Sequence, residues 1–406
     1  MNSNHVLIGN GRLPFEVLAQ VFDYYLEHET AAQPLETSLL VCKAWNEAAC
    51  GRPSLWATYK IRLEEERTKK RWLYRLPLRL RRSGSHTPLH IDIASPENPP
   101  DLLFHNSVAI NENMQRSMDS YYALELLNIL AGNDGSLCAR WKSLRLLLAF
   151  RIRIESGKED TILPLTYSMP ALKSLHLSLY CRYSELVPQF KRRELFPELP
   201  FLEFITLEPF HLENYPDMSH ARNITFHSGW ALEGRTPQKG LYNAPYVEVL
   251  SIFFSDFFFA LPEVYPLLRK LFLTGPKLFS RLLGVSMPRL EELIIEYTHH
   301  VVLEQAANLR DIHRIHTIRL NAAPNLQLAY DRQIASRAIG ALLTVCTGLQ
   351  TLKADDHVLS LLLKDWRQYL QPTSPLHVFL VKASGEEMKI VLSDTNPMSE
   401  WNTVMK

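Results

Sequence analysis

One short pattern, apolar-x-x-apolar-x-apolar, returns ten times between Trp141 and Val381 and confines the chain to architectures that repeat. The triplets are Trp141/Leu144/Leu146, Leu172/Leu175/Leu177, Leu202/Ile205/Leu207, Ala221/Ile224/Phe226, Val247/Leu250/Ile252, Leu268/Leu271/Leu273, Leu290/Leu293/Ile295, Ile315/Ile318/Leu320, Leu349/Leu352/Ala354 and Leu376/Phe379/Val381. Their starts lie roughly 19 to 34 residues apart, a spacing typical of stacked units. A single such strand has no means of burying its apolar face, so the units must stack. Each is expected to add one strand to a parallel sheet and to return by a helix or an irregular segment. Helical period is kept over 121–130, 332–345 and 359–370, the expected helical returns. Met169-Pro170, Leu199-Pro200, Tyr265-Pro266 and Met287-Pro288 put a proline at the turn into the strand.

Composition bounds the class. With 46% apolar and 21% charged residues, the whole chain is expected to fold. Forty-four Lys and Arg face 43 Asp and Glu, so there is no global attraction to nucleic acid or to an anionic membrane, and neither is expected as a partner. The five cysteines are odd in number and include no Cys-x-x-Cys, which argues against a disulfide framework and a zinc ribbon and favours a reducing compartment. No basic stretch followed by an apolar run opens the chain, so no secretory signal is expected. The most apolar patch, Ile252 to Leu261, is too short for the roughly 20 residues of a membrane span. A cytoplasmic or nuclear location is the expectation.

The first sixty residues follow other rules. Leu13-Pro14 opens a helix, since proline at the first helical position loses no hydrogen bond and Glu16 then sits where the helix dipole favours a carboxylate. Val17, Leu18, Val21, Phe22 and Tyr25 share one face. A second helix is predicted from Pro34, with Leu35, Leu39 and Cys42 at i, i+4 and i+7 and Val41 and Trp45 beside them. Cys42 is expected as a buried small hydrophobe. After Gly51-Arg52-Pro53 comes Ser54-Leu55-Trp56, and Tyr59 to Leu63 alternates as a strand does. Three short helical pieces this rich in large apolar groups make a unit too small to stand comfortably alone, so a foreign subunit is expected to sheathe it.

Leu13-Pro14-Phe15-Glu16, Val21-Phe22, Val41-Cys42-Lys43-Ala44-Trp45 and Leu55-Trp56, in this order and spacing, resemble the F-box family. Phe15 departs from the family pattern, which commonly has a second proline or a polar residue there. The resemblance implies binding to the small Skp adaptor of a cullin-based ubiquitin ligase. It also implies that Leu13, Pro14, Glu16, Leu18, Phe22, Val41, Cys42, Lys43, Leu55 and Trp56 contact that adaptor or shape its docking surface.

Between Glu64 and Arg82 three acids give way to eight Lys or Arg interleaved with Trp72, Leu73, Tyr74, Leu76, Leu78 and Leu80. Aromatics within a basic run could grip phosphate and stack bases. The favoured reading is a joint, its apolar groups turned to the domains and its cationic stems reaching water. Leu89 to Ile93 then alternates as a strand.

The repeated triplets resemble leucine-rich-repeat proteins, although the Asn or Cys that the family places three residues after the third apolar position is here Ala149, Tyr180, Phe210, Ser255, Pro276, Thr298 or Ala323. The expected fold is an α/β repeat: a three-helix F-box at 12–60, a basic connector at 61–88 and an irregular leucine-rich-repeat solenoid with a parallel sheet at 89–395. No phosphate-binding glycine loop, nucleophile elbow or His-Glu-x-x-His helix occurs, so no enzyme activity, cofactor or catalytic residue is expected. His299, His300, His313 and His316 are dense but lack partnering cysteines, and no metal is expected there. Five phenylalanines fall within 253–259; core packing is favoured for them, and the sharper alternative is a cargo patch at Phe257 and Phe258. With an F-box, such an array resembles the substrate receptors of Skp-cullin-F-box ligases, which hold a cargo protein for ubiquitin-dependent degradation. The competing reading is a scaffolding protein whose F-box-like helices cap the solenoid with no ligase involved.

Overall fold

The computed structural model describes residues 15–27, 35–63, 66–94, 122–150, 164–181, 196–208, 216–227, 244–253, 261–274, 282–296, 300–321, 332–361, 376–382 and 384–390. They fall into two compact units, one running to Ser174 and taking in Phe196–Leu199, the other holding Leu175–Tyr180 and the chain from Pro200. The expected end of the array at residue 395 lies outside the described residues.

The first unit begins with helix α1 (Phe15–Glu27), a 3-10 helix (Leu35–Leu40), α2 (Lys43–Cys50) and a 3-10 turn (Pro53–Trp56). Strand β1 (Thr58–Arg62), helix α3 (Glu66–Arg82), strand β2 (Leu89–Ala94), a helix at 122–131 and strand β3 (Trp141–Phe150) follow. β1, β2 and β3 are parallel, with Tyr59 opposite Ile91 and Ile91 opposite Leu144, and Ile61, Ile93 and Leu146 aligned in the same way. All six side chains are buried, because period-2 alternation puts them on one face. Trp56/Tyr59/Ile61 therefore repeats the spacing of the downstream triplets, and the strand series starts well before Trp141. The sequence boundary between 60 and 61 falls inside β1, and the segment read as a connector is the helix that carries β1 over to β2.

The second unit contains most of β4 (Ser174–Cys181), then β5 (Phe204–Leu207), β6 (Asn223–His227), β7 (Val249–Phe253), β8 (Lys270–Thr274), β9 (Glu292–Glu296), β10 (Thr317–Asn321), β11 (Thr351–Ala354), β12 (His377–Val381) and β13 (Glu387–Ile390). Neighbours in the sheet are neighbours in the chain. Pairing is parallel from β5 to β12, and β13 turns back antiparallel. The helix Arg332–Val345 is the predicted return, and it packs on the helix His300–Ala306, which the sequence reading did not include. Of the predicted return 359–370, a helix covers 356–361 and the remainder lies outside the described residues. No helix among the described residues is long and apolar enough to cross a membrane.

Nine of the ten triplets have all three side chains buried. The tenth, Leu376/Phe379/Val381, is one residue out of register: Val378 and Leu380 are the inward pair, opposite Leu352 and Ala354, and Phe379 faces outward. Val378 to Val381 are four apolar residues in a row, so alternation carries no phase there and pairing with β11 decides it.

A fourth buried position recurs ahead of the triplets. Met169, Leu199, Met218, Ala244, Tyr265, Met287, Ile312 and Cys346 each stand three residues before a triplet and are all buried. The carbonyls of Met169, Met218, Met287 and Cys346 accept the N–H of the residue three further on, at 3.0 Å in each case, closing a β-turn. Pro170 and Pro288 occupy the second place of such turns, where their fixed φ fits and no N–H is missed. The register of β12 is testable: Leu380→Ala is expected to cost about 2–4 kcal/mol in urea unfolding, against under about 1 kcal/mol for the outward Phe379→Ser.

Candidate functional site

The first four helical pieces close around their own core. Leu18 and Phe22 from α1, Leu35 from the first 3-10 helix, Ala48 and Ala49 from α2, and Leu55 and Trp56 from the 3-10 turn are buried together, with Leu26, Leu39 and Trp45 packed against them. Phe22 meets Trp45 edge to face, ring centroids 5.5 Å apart. The indole N–H of Trp56 donates to the Ala49 carbonyl at 2.7 Å, so the one polar atom of a fully buried ring is satisfied.

The predicted second helix is in fact two. The 3-10 helix ends at Leu40, and Cys42 is extended (φ −163°, ψ 171°) as the N-cap of α2. That break resets the helical phase after Leu39. Cys42, expected inside, is exposed, and Val41 and Lys43 are exposed with it.

Helix α3 locks this module to the strands. Trp72, Leu76, Arg79 and Ser83 recur on one face and are buried. The cationic stems, expected to reach water, do not all do so: Arg79 is fully buried and Arg75 is largely covered. Both reach Glu36 of the 3-10 helix, Arg79 as a fork with Nε to Oε1 at 2.8 Å and Nη2 to Oε2 at 3.1 Å. A guanidinium can be buried here because its charge is matched on the spot. The Trp72 ring lies 4.5 Å from the Arg75 guanidinium and 4.9 Å from that of Arg79, and Arg82 sits 4.6 Å over Trp56. Burial by itself would raise the Glu36 pKa, but the hydrogen bonds and charges of Arg79 and Arg75 outweigh it and hold it at about 2.

With its core closed, the module still shows apolar side chains at its surface: Leu40 at 84% exposure, Tyr24 at 63%, Val41 at 58% and Val17 at 39%. Residues 11–62 match a family model described as F-box-like. The first module is thus F-box-like, and the match ends where β1 ends. No curated protein matches the chain.

Among the residues singled out from sequence, Leu18, Phe22, Leu55 and Trp56 lie in the F-box-like core, while Val41, Cys42 and Lys43 lie on its surface. Glu16 is in the first turn of α1; Leu13 and Pro14 lie outside the described residues. The expectation that a foreign subunit must cover Phe22 and Trp56 is not met, since they are 1% and 0% exposed within this chain. Leu40 was overlooked, though it directly precedes the Val-Cys-Lys signal. Glu36 and its arginines were overlooked because nothing local links positions some forty residues apart.

In the second unit, Phe257 and Phe258 lie outside the described residues. Nearby Phe253 stacks on His227 with centroids 4.1 Å apart. Glu208 accepts from His176 at 2.9 Å, and that bond holds its pKa at about 2 against the opposing effect of burial. Burial lowers the pKa of His227, with Glu208 acting against it. Among the described residues no three His, Cys, Asp or Glu side chains are grouped to hold a metal ion.

Glu36→Gln leaves Arg79 buried without its counter-charge and is expected to cost about 3 kcal/mol at pH 7. A depressed carboxylate stabilises fully above its unfolded pKa and loses that contribution as the pH falls toward about 2. The gap between wild type and variant in chemical unfolding should therefore be constant from pH 7 to 5 and close between pH 4.5 and 2.

Proposed function

We propose that the chain is the substrate-recognition subunit of a Skp-cullin-F-box ubiquitin ligase, docking the Skp adaptor through its first module and a cargo protein through a leucine-rich-repeat-like array. The observation that carries this reading is the exposure of Leu40 and Val41 on a module that matches the F-box-like family and has already closed its own core. Large apolar side chains kept in water next to Lys43 form the kind of surface that a partner covers. The adaptor contacts are accordingly Leu40, Val41, Cys42 and Lys43 with the outer face of α1, whereas Phe22, Leu55 and Trp56 shape the surface from beneath.

Buried triplets on strands that follow chain order support a solenoid of leucine-rich-repeat type for the remainder. Through the adaptor the chain would join a cullin scaffold and hold cargo beside a ubiquitin-conjugating enzyme. Its contribution is proximity, a raised local concentration, and it performs no chemistry of its own.

A second reading has its own support. Helix α3, which joins β1 to β2, grips the module through Arg82 over Trp56 and Arg79 on Glu36, as it would if the module were simply a cap on the array in a scaffolding protein. Co-purification of the full chain with recombinant Skp adaptor separates the two. Leu40→Glu combined with Val41→Glu is expected to abolish capture while Tm stays within about 1 °C of wild type, as befits exposed positions. An unmodified chain that fails to capture the adaptor would favour the cap.

A further inference from the structure

The buried face of β5 to β10 distinguishes one strand only weakly from the next. Leu and Ile recur at the same places in β5 to β10, with Phe226 of β6 the exception, so a strand that skipped its neighbour would still find an apolar surface of the right period. The residue just after the first member of each triplet differs in kind: in chain order it is Glu203, Arg222, Glu248, Arg269, Glu291 and His316.

Backbone geometry puts these six in one row. The Glu203 carbonyl accepts the N–H groups of Arg222 and Asn223 at 2.9 and 3.0 Å, and the Arg222 carbonyl accepts those of Glu248 and Val249 at 2.8 and 3.0 Å. The carbonyls of Glu248, Arg269 and Glu291 each accept two N–H groups from the next strand in the same way. Row members thus stand on adjacent strands, roughly 4.8 Å apart. Arg222 reaches Glu248 at 3.6 Å, and Arg269 reaches Glu291 at 2.8 Å. One residue further on, Lys270 and Glu292 pair at 3.0 Å.

We propose that this alternating row specifies the stacking order of the second unit, by attracting each strand to its immediate neighbour and opposing any arrangement that skips one. From Glu203 to Glu291 nearest neighbours carry opposite charge. Next-nearest neighbours carry the same charge: Glu203, Glu248 and Glu291 on one set, Arg222 and Arg269 on the other. Skipping a strand removes two attractive junctions and sets two like charges side by side, so charges that add little to stability one at a time still discriminate between arrangements.

Two variants of the full chain test this. Glu248→Arg sets three arginines abreast. The five-fold inversion Glu203→Arg/Arg222→Glu/Glu248→Arg/Arg269→Glu/Glu291→Arg replaces every charge from Glu203 to Glu291 in the row yet keeps the alternation among these five. Glu248→Arg is expected to lower Tm by about 2–4 °C at low salt and to cut the yield of monomer refolded from urea by roughly half, both effects shrinking at about 1 M salt. The inversion is expected to recover both. Were Glu248→Arg to fail to fold, Glu248→Gln should show a smaller loss of yield in the same direction. An inverted row that refolds as poorly as the single reversal, or a single reversal with unchanged yield, would overturn the proposal, since simple ion pairing moves Tm without governing how much chain finds the right order.

Discussion

The indole of Trp56 is covered by two elements at once, the helical core of the module and helix α3, and the first unit depends on that sharing. Its N–H is held by Ala49 of α2, its ring lies in the helical core with Phe22 and Leu55, and it stands three residues before Tyr59 in the first strand unit. Withdrawing α3 from the module would therefore uncover a ring on which the helical core is built. Arg79 and Glu36 close the same joint from the other side, and Arg82 covers the ring. A buried charge pair of this kind adds less net stability than apolar packing would, but it is strict about geometry: any sliding of α3 would leave a guanidinium unpaired in a dry environment.

This sharing changes what the apolar richness of the first sixty residues means. A small helical unit can hide large side chains against a partner or within its own core, and here the module's own residues hide most of them. What remains for a partner is a smaller and different set, headed by Leu40 and Val41. An F-box-like module of this construction presents a docking surface whose shape is set by the fold behind it.

Much of the fold was legible because strand and helix periods are local. Nine triplets were placed correctly, since alternation interrupted by polar residues has only one phase that buries the apolar side chains. The tenth slipped where Val378 to Val381 offered two equivalent phases. The break at Val41-Cys42 was illegible because Leu35, Leu39 and Cys42 keep helical spacing whether or not the helix continues. Its consequence is chemical: the same thiol that helical spacing places inside stands in water once the phase resets.

The amino-acid pattern by itself determined that there would be a repeating parallel sheet behind an F-box-like start, because side-chain period and turn-forming prolines act over a few residues and need no partner to be read. Only the tertiary structure decided which apolar groups the module keeps and which it leaves exposed, the phase of β12, and the meeting of Glu36 with Arg75 and Arg79. Each of these rests on groups brought together from distant parts of the chain, where the competing arrangements satisfy local preference equally and burial, pairing and charge break the tie.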